Sequence, residues 1–207
     1  MPLSIQTFSS GPIGTNTYFV HDGKGHAIVV DASHDVTPAI VAAAAEAGAT
    51  IQAIIITHPH WDHIGDALSL KTATGAPLIA HPGAVDRMEH PGTSLNMPIP
   101  PIPPSTPDAF LDEGDTYQLG DETFTVWHLP GHEPSHIVLY HAGDAVVLGG
   151  DVLFPNGHGR IDIPGADANQ MRNSLLRLGS LPDNVTVYPG HGVPTTIGAE
   201  RSWLPRS

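Results

Sequence analysis

An apolar run that leads into a cluster of metal-binding side chains constrains this chain more than any other feature. Ile51-Gln52-Ala53-Ile54-Ile55-Ile56 reads as a strand buried on both faces, the kind found inside α/β proteins. It continues straight into Thr57-His58-Pro59-His60-Trp61-Asp62-His63, which carries three imidazoles and one carboxylate. Ile64 to Leu70 follows with apolar residues at helical spacing. The cluster therefore lies in a strand-to-helix loop, where α/β proteins usually place function. His58 and His60, two apart in extended backbone, can reach one point from one side. Asp62 and His63 come after a turn and can face a second point nearby. Imidazole nitrogens and carboxylate oxygens together suit zinc, iron or manganese. A single loop histidine is usually a solvated residue, but four donors this close, framed by a buried strand and a helix, point to metal.

Three further residues share a local setting. His132 closes Leu129-Pro130-Gly131-His132, Asp151 closes Leu148-Gly149-Gly150-Asp151, and His191 lies in Tyr188-Pro189-Gly190-His191-Gly192. Each stands at a strand end beside glycine, which lets the backbone turn tightly and come close to an ion. Any one of them alone would read as an ordinary turn residue. With the loop they complete a set of seven donors: His58, His60, Asp62, His63, His132, Asp151 and His191. Asp31, at the end of the strand His26–Asp31, has two readings. It either supports a ligand histidine from behind or is a cap or loop acid.

The rest of the chain alternates strands and helices. Leu3–Phe8, Thr15–Val20 and His26–Asp31 read as an antiparallel meander. Thr37–Ala47 reads as a helix with proline in its first turn and Gly48 at its end. A helix running to about Thr74, a strand at Pro77–His81 and a short helix at Pro82–Met88 follow. His90 to Pro107 is too rich in proline for regular structure and reads either as a stiff lid facing substrate or as a surface insertion. Strands are expected at Thr116–Leu119, Thr123–Leu129, Ile137–His141, Ala145–Gly149 and Val185–Tyr188. Asn169–Leu178 is an amphipathic helix, and the tail from Thr195 is partly helical at most. Candidate ligands lie on both sides of the proline-rich stretch, so it is no domain linker, and 1–207 reads as one domain.

Composition narrows the function. No stretch of about eighteen apolar residues occurs, so no membrane span is expected. Nor does the N-terminus look like a secretory signal, so a cytoplasmic location is the default expectation. The absence of cysteine excludes disulfides, thiolate ligands and a cysteine nucleophile. The formal charge of −13 disfavours nucleic acid as a partner, and two divalent ions, adding +4, would still leave about −9. A small molecule is the expected partner, with the chain a monomer or a homodimer.

The pattern His58-x-His60-x-Asp62-His63 resembles the signature of metallo-β-lactamase-fold hydrolases. That resemblance implies a four-layer αβ/βα sandwich with the site along one edge of the sheet pair. It also implies roles. One metal would be held by His58, His60 and His132, the other by Asp62, His63 and His191, with Asp151 bridging both. The implied cofactors are two divalent ions, zinc first, with iron or manganese as alternatives. Water activated between them would attack the substrate, and Asp62 could orient it or relay its proton. Asp151-Val152-Leu153-Phe154 with Gly159-Arg160-Ile161-Asp162 is similar to a stretch of glyoxalase II-like enzymes, and so is the segment from Pro189 to Arg201. The implied activity is hydrolysis of thioesters or related esters. The alternative on the same scaffold is a persulfide dioxygenase with a single iron at His58, His132 and Asp151. An acid at position 151 speaks against β-lactamase activity. With sixteen residues after His191, the helical region that grips glutathione in glyoxalase II is not expected here. Glu133 and His136 depart from the common form of their motif and either shape the pocket or face solvent. Arg160 and Asp162 read as an ion pair bracing the metal loop, or as an anchor for a substrate carboxylate. His158 either enters the pocket or lies on the surface.

Overall fold

Period-two alternation along the strands decides which side chains enter which layer. In a computed structural model, which describes residues 2–92 and 99–206, the strands form two six-stranded sheets. The first is built from β1 (Ser4–Ser10), β2 (Thr15–His21), β3 (His26–Val30), β4 (Thr50–Ile55), β5 (Leu78–Ala80) and β6 (Ala109–Phe110), in that spatial order. β1, β2 and β3 pair antiparallel, as the meander reading expects, and β3 to β6 pair parallel. The second sheet contains β7 (Thr116–Leu119), β8 (Glu122–His128), β9 (Ile137–His141), β10 (Val146–Gly150), β13 (Thr186–Pro189) and β14 (Thr195–Thr196). β11 (Leu153–Phe154) and β12 (Gly157–His158) form a separate small hairpin.

Three apolar clusters fill the spaces between four layers. Ala27 and Val29 of β3 face a cluster shared with α1 (Thr37–Ala47), α2 (Ala67–Thr74) and α3 (Val85–Glu89). Ile28 and Val30 of the same strand face the other sheet, where Phe124, Val126, Leu139 and Leu148 meet them. Val138, Val147 and Val187 on the outer face of the second sheet pack under α4 (Ala168–Leu178) and α5 (Ile197–Glu200). The result is the αβ/βα sandwich. β4 is buried on both faces, as its composition requires, apart from a bulge. There the register steps from Ala27–Ile51 to Ile28–Ala53, leaving exposed Gln52 as the extra residue.

Several boundaries move. α2 starts only at Ala67, because Ile64, Gly65 and Asp66 complete the turn after the histidine cluster, and Asp66 is tied to Thr37 at the start of α1. β3 stops at Val30, and Asp31 takes a left-handed conformation at φ 62°. The two-residue strands β6, β11, β12 and β14 are too short to show a period and were not expected from the sequence. Of the proline-rich stretch, 93–98 lies outside the described residues. The remainder has no helix, and its one strand-like neighbour, β6, follows it. Ser105 donates its N–H to the Met88 carbonyl at 2.9 Å and Ile102 packs on the helix-side cluster, so this half is a strap held against the core.

Candidate metal centre

All seven donors converge at one end of the sheet pair. His58, His60, Asp62 and His63 come from the loop after β4, His132 from the turn between β8 and β9, Asp151 from the end of β10 and His191 from the end of β13. One nitrogen from each of His58, His60 and His132 lies within 4.8 Å of the others, and so do donor atoms of Asp62, His63 and His191. Asp151 stands between the groups with its oxygens divided. Oδ1 is 3.5 Å from His63 Nε2, while Oδ2 is 3.4 Å from His132 Nε2 and 3.6 Å from His191 Nε2. Asp62 Oδ2 lies 3.2 Å from both His63 Nε2 and His191 Nε2.

The second nitrogen of three of these imidazoles is already engaged. His63 Nδ1 is 2.8 Å from Asp31 Oδ2, His58 Nδ1 is 3.0 Å from the Thr57 hydroxyl and His132 Nδ1 is 2.9 Å from the Arg160 carbonyl oxygen. That leaves Nε2 of His58, His63 and His132, together with Asp151 Oδ1, buried with no hydrogen-bond partner among the described residues. Buried polar atoms in folded proteins are nearly always satisfied. Four orphans aimed at one space fit a metal, and the donor set of imidazole and carboxylate suits divalent ions. Asp31 thus resolves its two readings, because the left-handed turn brings its carboxylate beneath His63, and it also accepts from Thr57 N–H at 2.8 Å.

Backbone allows the close approach. A side chain at Gly190 would collide with the Asp151 carboxylate and with the His63 ring, and one at Gly159 would collide with the Asp151 carbonyl and His132. Burial by itself lowers the proton affinity of His63, but the carboxylates of Asp62, Asp31 and Asp151 outweigh it and hold the pKa well above the ordinary value. His60 goes the other way, to about 3, through burial, then His132 and the guanidinium of Arg87. For Asp62 burial opposes ionisation, yet His63, the His191 contact and the Thr15 hydroxyl bring it to about 2.

The centre opens into a cavity of about 380 Å³. Ile13, Trp61, Phe154, Ile163 and Pro164 give it apolar walls, and Arg87 and Arg160 line it as well. His158 also faces this space. The Arg160 guanidinium pairs with Asp162 at 2.8 and 3.0 Å, but both side chains are exposed. The main-chain oxygen of Arg160, rather than its charge, is what braces His132. Glu133 and His136 are 2% and 0% exposed, which removes the solvent-facing reading. His136 Nε2 accepts the Asp151 N–H at 3.0 Å, and its ring stacks on His58.

Sequence reading passed over several supports. Thr15 donates to Asp62 Oδ2 at 2.7 Å, and Asn16 donates to the carbonyls of Pro189 and Gly192, both at 2.9 Å. Their only local signal is a polar Thr-Asn-Thr start to a strand that is otherwise apolar. A further group, His81, Asp112 and His128, lies apart from the centre, its two imidazoles stacked 4.6 Å apart at 16°. Lone pairs of parallel rings cannot both point at one ion, so stacking accounts for that pair better than ligation does.

Comparison with known proteins finds likenesses over most of the chain. The model of the Metallo-beta-lactamase superfamily matches residues 10–191. A curated relative, hydroxyacylglutathione hydrolase GloC of Haemophilus influenzae, is 30% identical over 96% of this chain and 95% of its own length. Among solved structures, BLEG-1, described as a B3 metallo-beta-lactamase, is 30% identical with a TM-score of 0.88 over 98% of both chains. TTHA1623, crystallised in a di-iron-bound form, is 35% identical with a TM-score of 0.79, covering 96% of this chain and 98% of that one. ETHE1 from Myxococcus xanthus is 26% identical with a TM-score of 0.80, covering 98% of this chain and 83% of that one.

Proposed function

Because the chain belongs to the metallo-β-lactamase superfamily, whose members are mostly hydrolytic metalloenzymes, we propose that it is a binuclear metallohydrolase of thioesters or related esters. The observation that carries this reading is the set of orphaned Nε2 atoms of His58, His63 and His132 around an Asp151 whose two oxygens face different histidines. His58, His60 and His132 would hold one divalent ion, Asp62, His63 and His191 the other, and Asp151 both. Zinc is the first choice and iron the next, since a similar protein was crystallised with two irons. Ions held in this way lower the pKa of a shared water and polarise an acyl oxygen.

The residues of the chain supply the rest. Asp31, Thr57 and the Arg160 carbonyl fix the tautomer and aim of three imidazoles, which raises their basicity as ligands. Thr15 holds Asp62 Oδ2, so Oδ1 is the oxygen left to take the proton of an attacking water. The apolar walls exclude bulk water around the scissile bond and strengthen every charge interaction there. The products are a carboxylic acid and a free thiol or alcohol. The thioester assignment draws on the likeness to the Haemophilus influenzae hydrolase over nearly the whole chain.

Zinc-loaded protein offered a panel of thioesters, esters and lactones, with a β-lactam included, is expected to release thiol from thioesters fastest. Failure on every thioester and ester would end the reading. Asp151→Ala should lose all but background turnover and bind less than one ion per chain, measured by elemental analysis; wild-type turnover in that variant would refute the ligand set. The single-iron dioxygenase at His58, His132 and Asp151 predicts one iron per chain and oxygen uptake with a persulfide. It leaves Asp62, His63 and His191, gathered within 4.8 Å, without a role, and that places it second.

A further inference from the structure

Charged and apolar side chains share the wall of the cavity. Arg87, in α3, lines it beside His60 and Gly92, with its side chain 39% exposed. Among the described residues its nearest carboxylate is Glu133, with Nη1 and Oε1 3.7 Å apart, too far for a hydrogen bond. Glu133 itself is fixed, since its side chain is 3% exposed and its Oε2 accepts both the N–H and the hydroxyl of Ser135. The Glu133 carboxylate thus stands beside the guanidinium at the cavity wall, and among the described residues no hydrogen bond uses the Arg87 donors. Arg160, by contrast, already gives its Nε and Nη2 edge to Asp162. Ile13, Trp61, Phe154 and Ile163 line the same cavity and offer a substrate arm apolar contact and no charge.

We propose that Arg87 is a specificity residue that binds a carboxylate of the substrate, so that the preferred thioesters carry an anionic arm. A guanidinium fork matches a carboxylate in shape as well as charge, and it does so more strongly in a half-enclosed cavity than in water. In a chain of net charge −13 such a cation selects its ligand locally, because the surface as a whole attracts no anion. The inference rests on the thioester reading above, and Glu133, directly after the ligand His132, ties it to the centre.

Two substrate pairs test it with the zinc-loaded enzyme. The succinyl thioester of N-acetylcysteamine and the methyl ester of its free carboxylate differ in charge on the acyl arm. Butanoyl thioesters of 3-mercaptopropanoate and of its amide differ on the thiol arm. In at least one pair kcat/KM should favour the carboxylate roughly tenfold or more, as a charge-assisted contact predicts. The preference should fall to near one in Arg87→Met and be partly kept in Arg87→Lys. A ratio near one in both wild-type pairs, or one that survives in Arg87→Met, overturns the proposal. Should no thioester be hydrolysed, the functional reading fails and Arg87 is judged by calorimetry of glutarate binding to the loaded protein. A roughly tenfold weaker affinity in Arg87→Met supports it, and equal affinities overturn it. If Arg87→Met does not fold, Arg87→Gln takes its place.

Discussion

His63 is held at both ends, and His58 and His132 likewise have their Nδ1 engaged. Its Nδ1 faces Asp31 at 2.8 Å while Nε2 faces Asp62 and Asp151. Asp31→Asn keeps the shape but removes the charge behind the ring, and it should weaken metal binding about ten- to a hundredfold, read by competition with a chelator. Unchanged affinity would mean that Asp31 only ends its strand. Gly190→Ala puts a methyl group where the Asp151 carboxylate and the His63 ring now sit. The variant should fold, since Gly190 lies at a strand end, yet bind fewer than two ions per chain; full occupancy would show that the loop yields without cost. At this scale the seven donors were legible from the sequence, because residue type and a neighbouring glycine carry the signal. Thr15, Thr57 and His136 were not, because a threonine or histidine gains meaning only from the atom it faces.

Among the elements, long periodic stretches were legible and short ones were not. α4 has Met171, Leu175 and Leu178 buried on one side, and Asp167 caps it by accepting from the N–H groups of Asn169 and Gln170 at 2.8 and 2.9 Å. Asp167→Ala should cost about 1 kcal/mol in urea denaturation. The cap lies on the outer layer, so metal content should stay near that of the wild type; a loss of both together would show that α4 also sets the His132 turn, whose Gly131 carbonyl accepts from Asp167 N–H. β11 and β12 form a two-residue hairpin between Asp151 and Arg160, and no period exists in two residues. The same limit hid β6 and β14.

The whole molecule couples charge to stability through its buried histidines. Without metal, burial and the facing imidazoles hold His58 and His136 well below the ordinary value of 6.5, and His60 lies at about 3. As pH falls from 6.5 the unfolded chain takes up protons that the native state refuses, so stability drops by about 1.4 kcal/mol per pH unit per group. His63 and His191 are raised, since Asp62 and its carboxylate neighbours outweigh burial. Their contribution is complete below 6.5 and is lost as pH climbs through their folded values. Metal-free protein should therefore be most stable near pH 6.5, with lower urea midpoints at pH 5 and pH 8; a midpoint that rises steadily across this range would contradict the assignment. None of the described helices is long and apolar enough to cross a membrane. The sequence by itself determined the donor set, the doubly buried β4, the α/β layering and the main helices, because side-chain type and hydrophobic period are local properties. Tertiary structure alone decided that Arg160 supports His132 through its backbone, that Thr15 steadies Asp62 and that Glu133 sets Arg87 against the cavity. His132 and Arg160 lie 28 positions apart in the chain, and Thr15 and Asp62 lie 47 apart. A local pattern records how deeply a residue will be buried, and only chain packing determines what it will meet there.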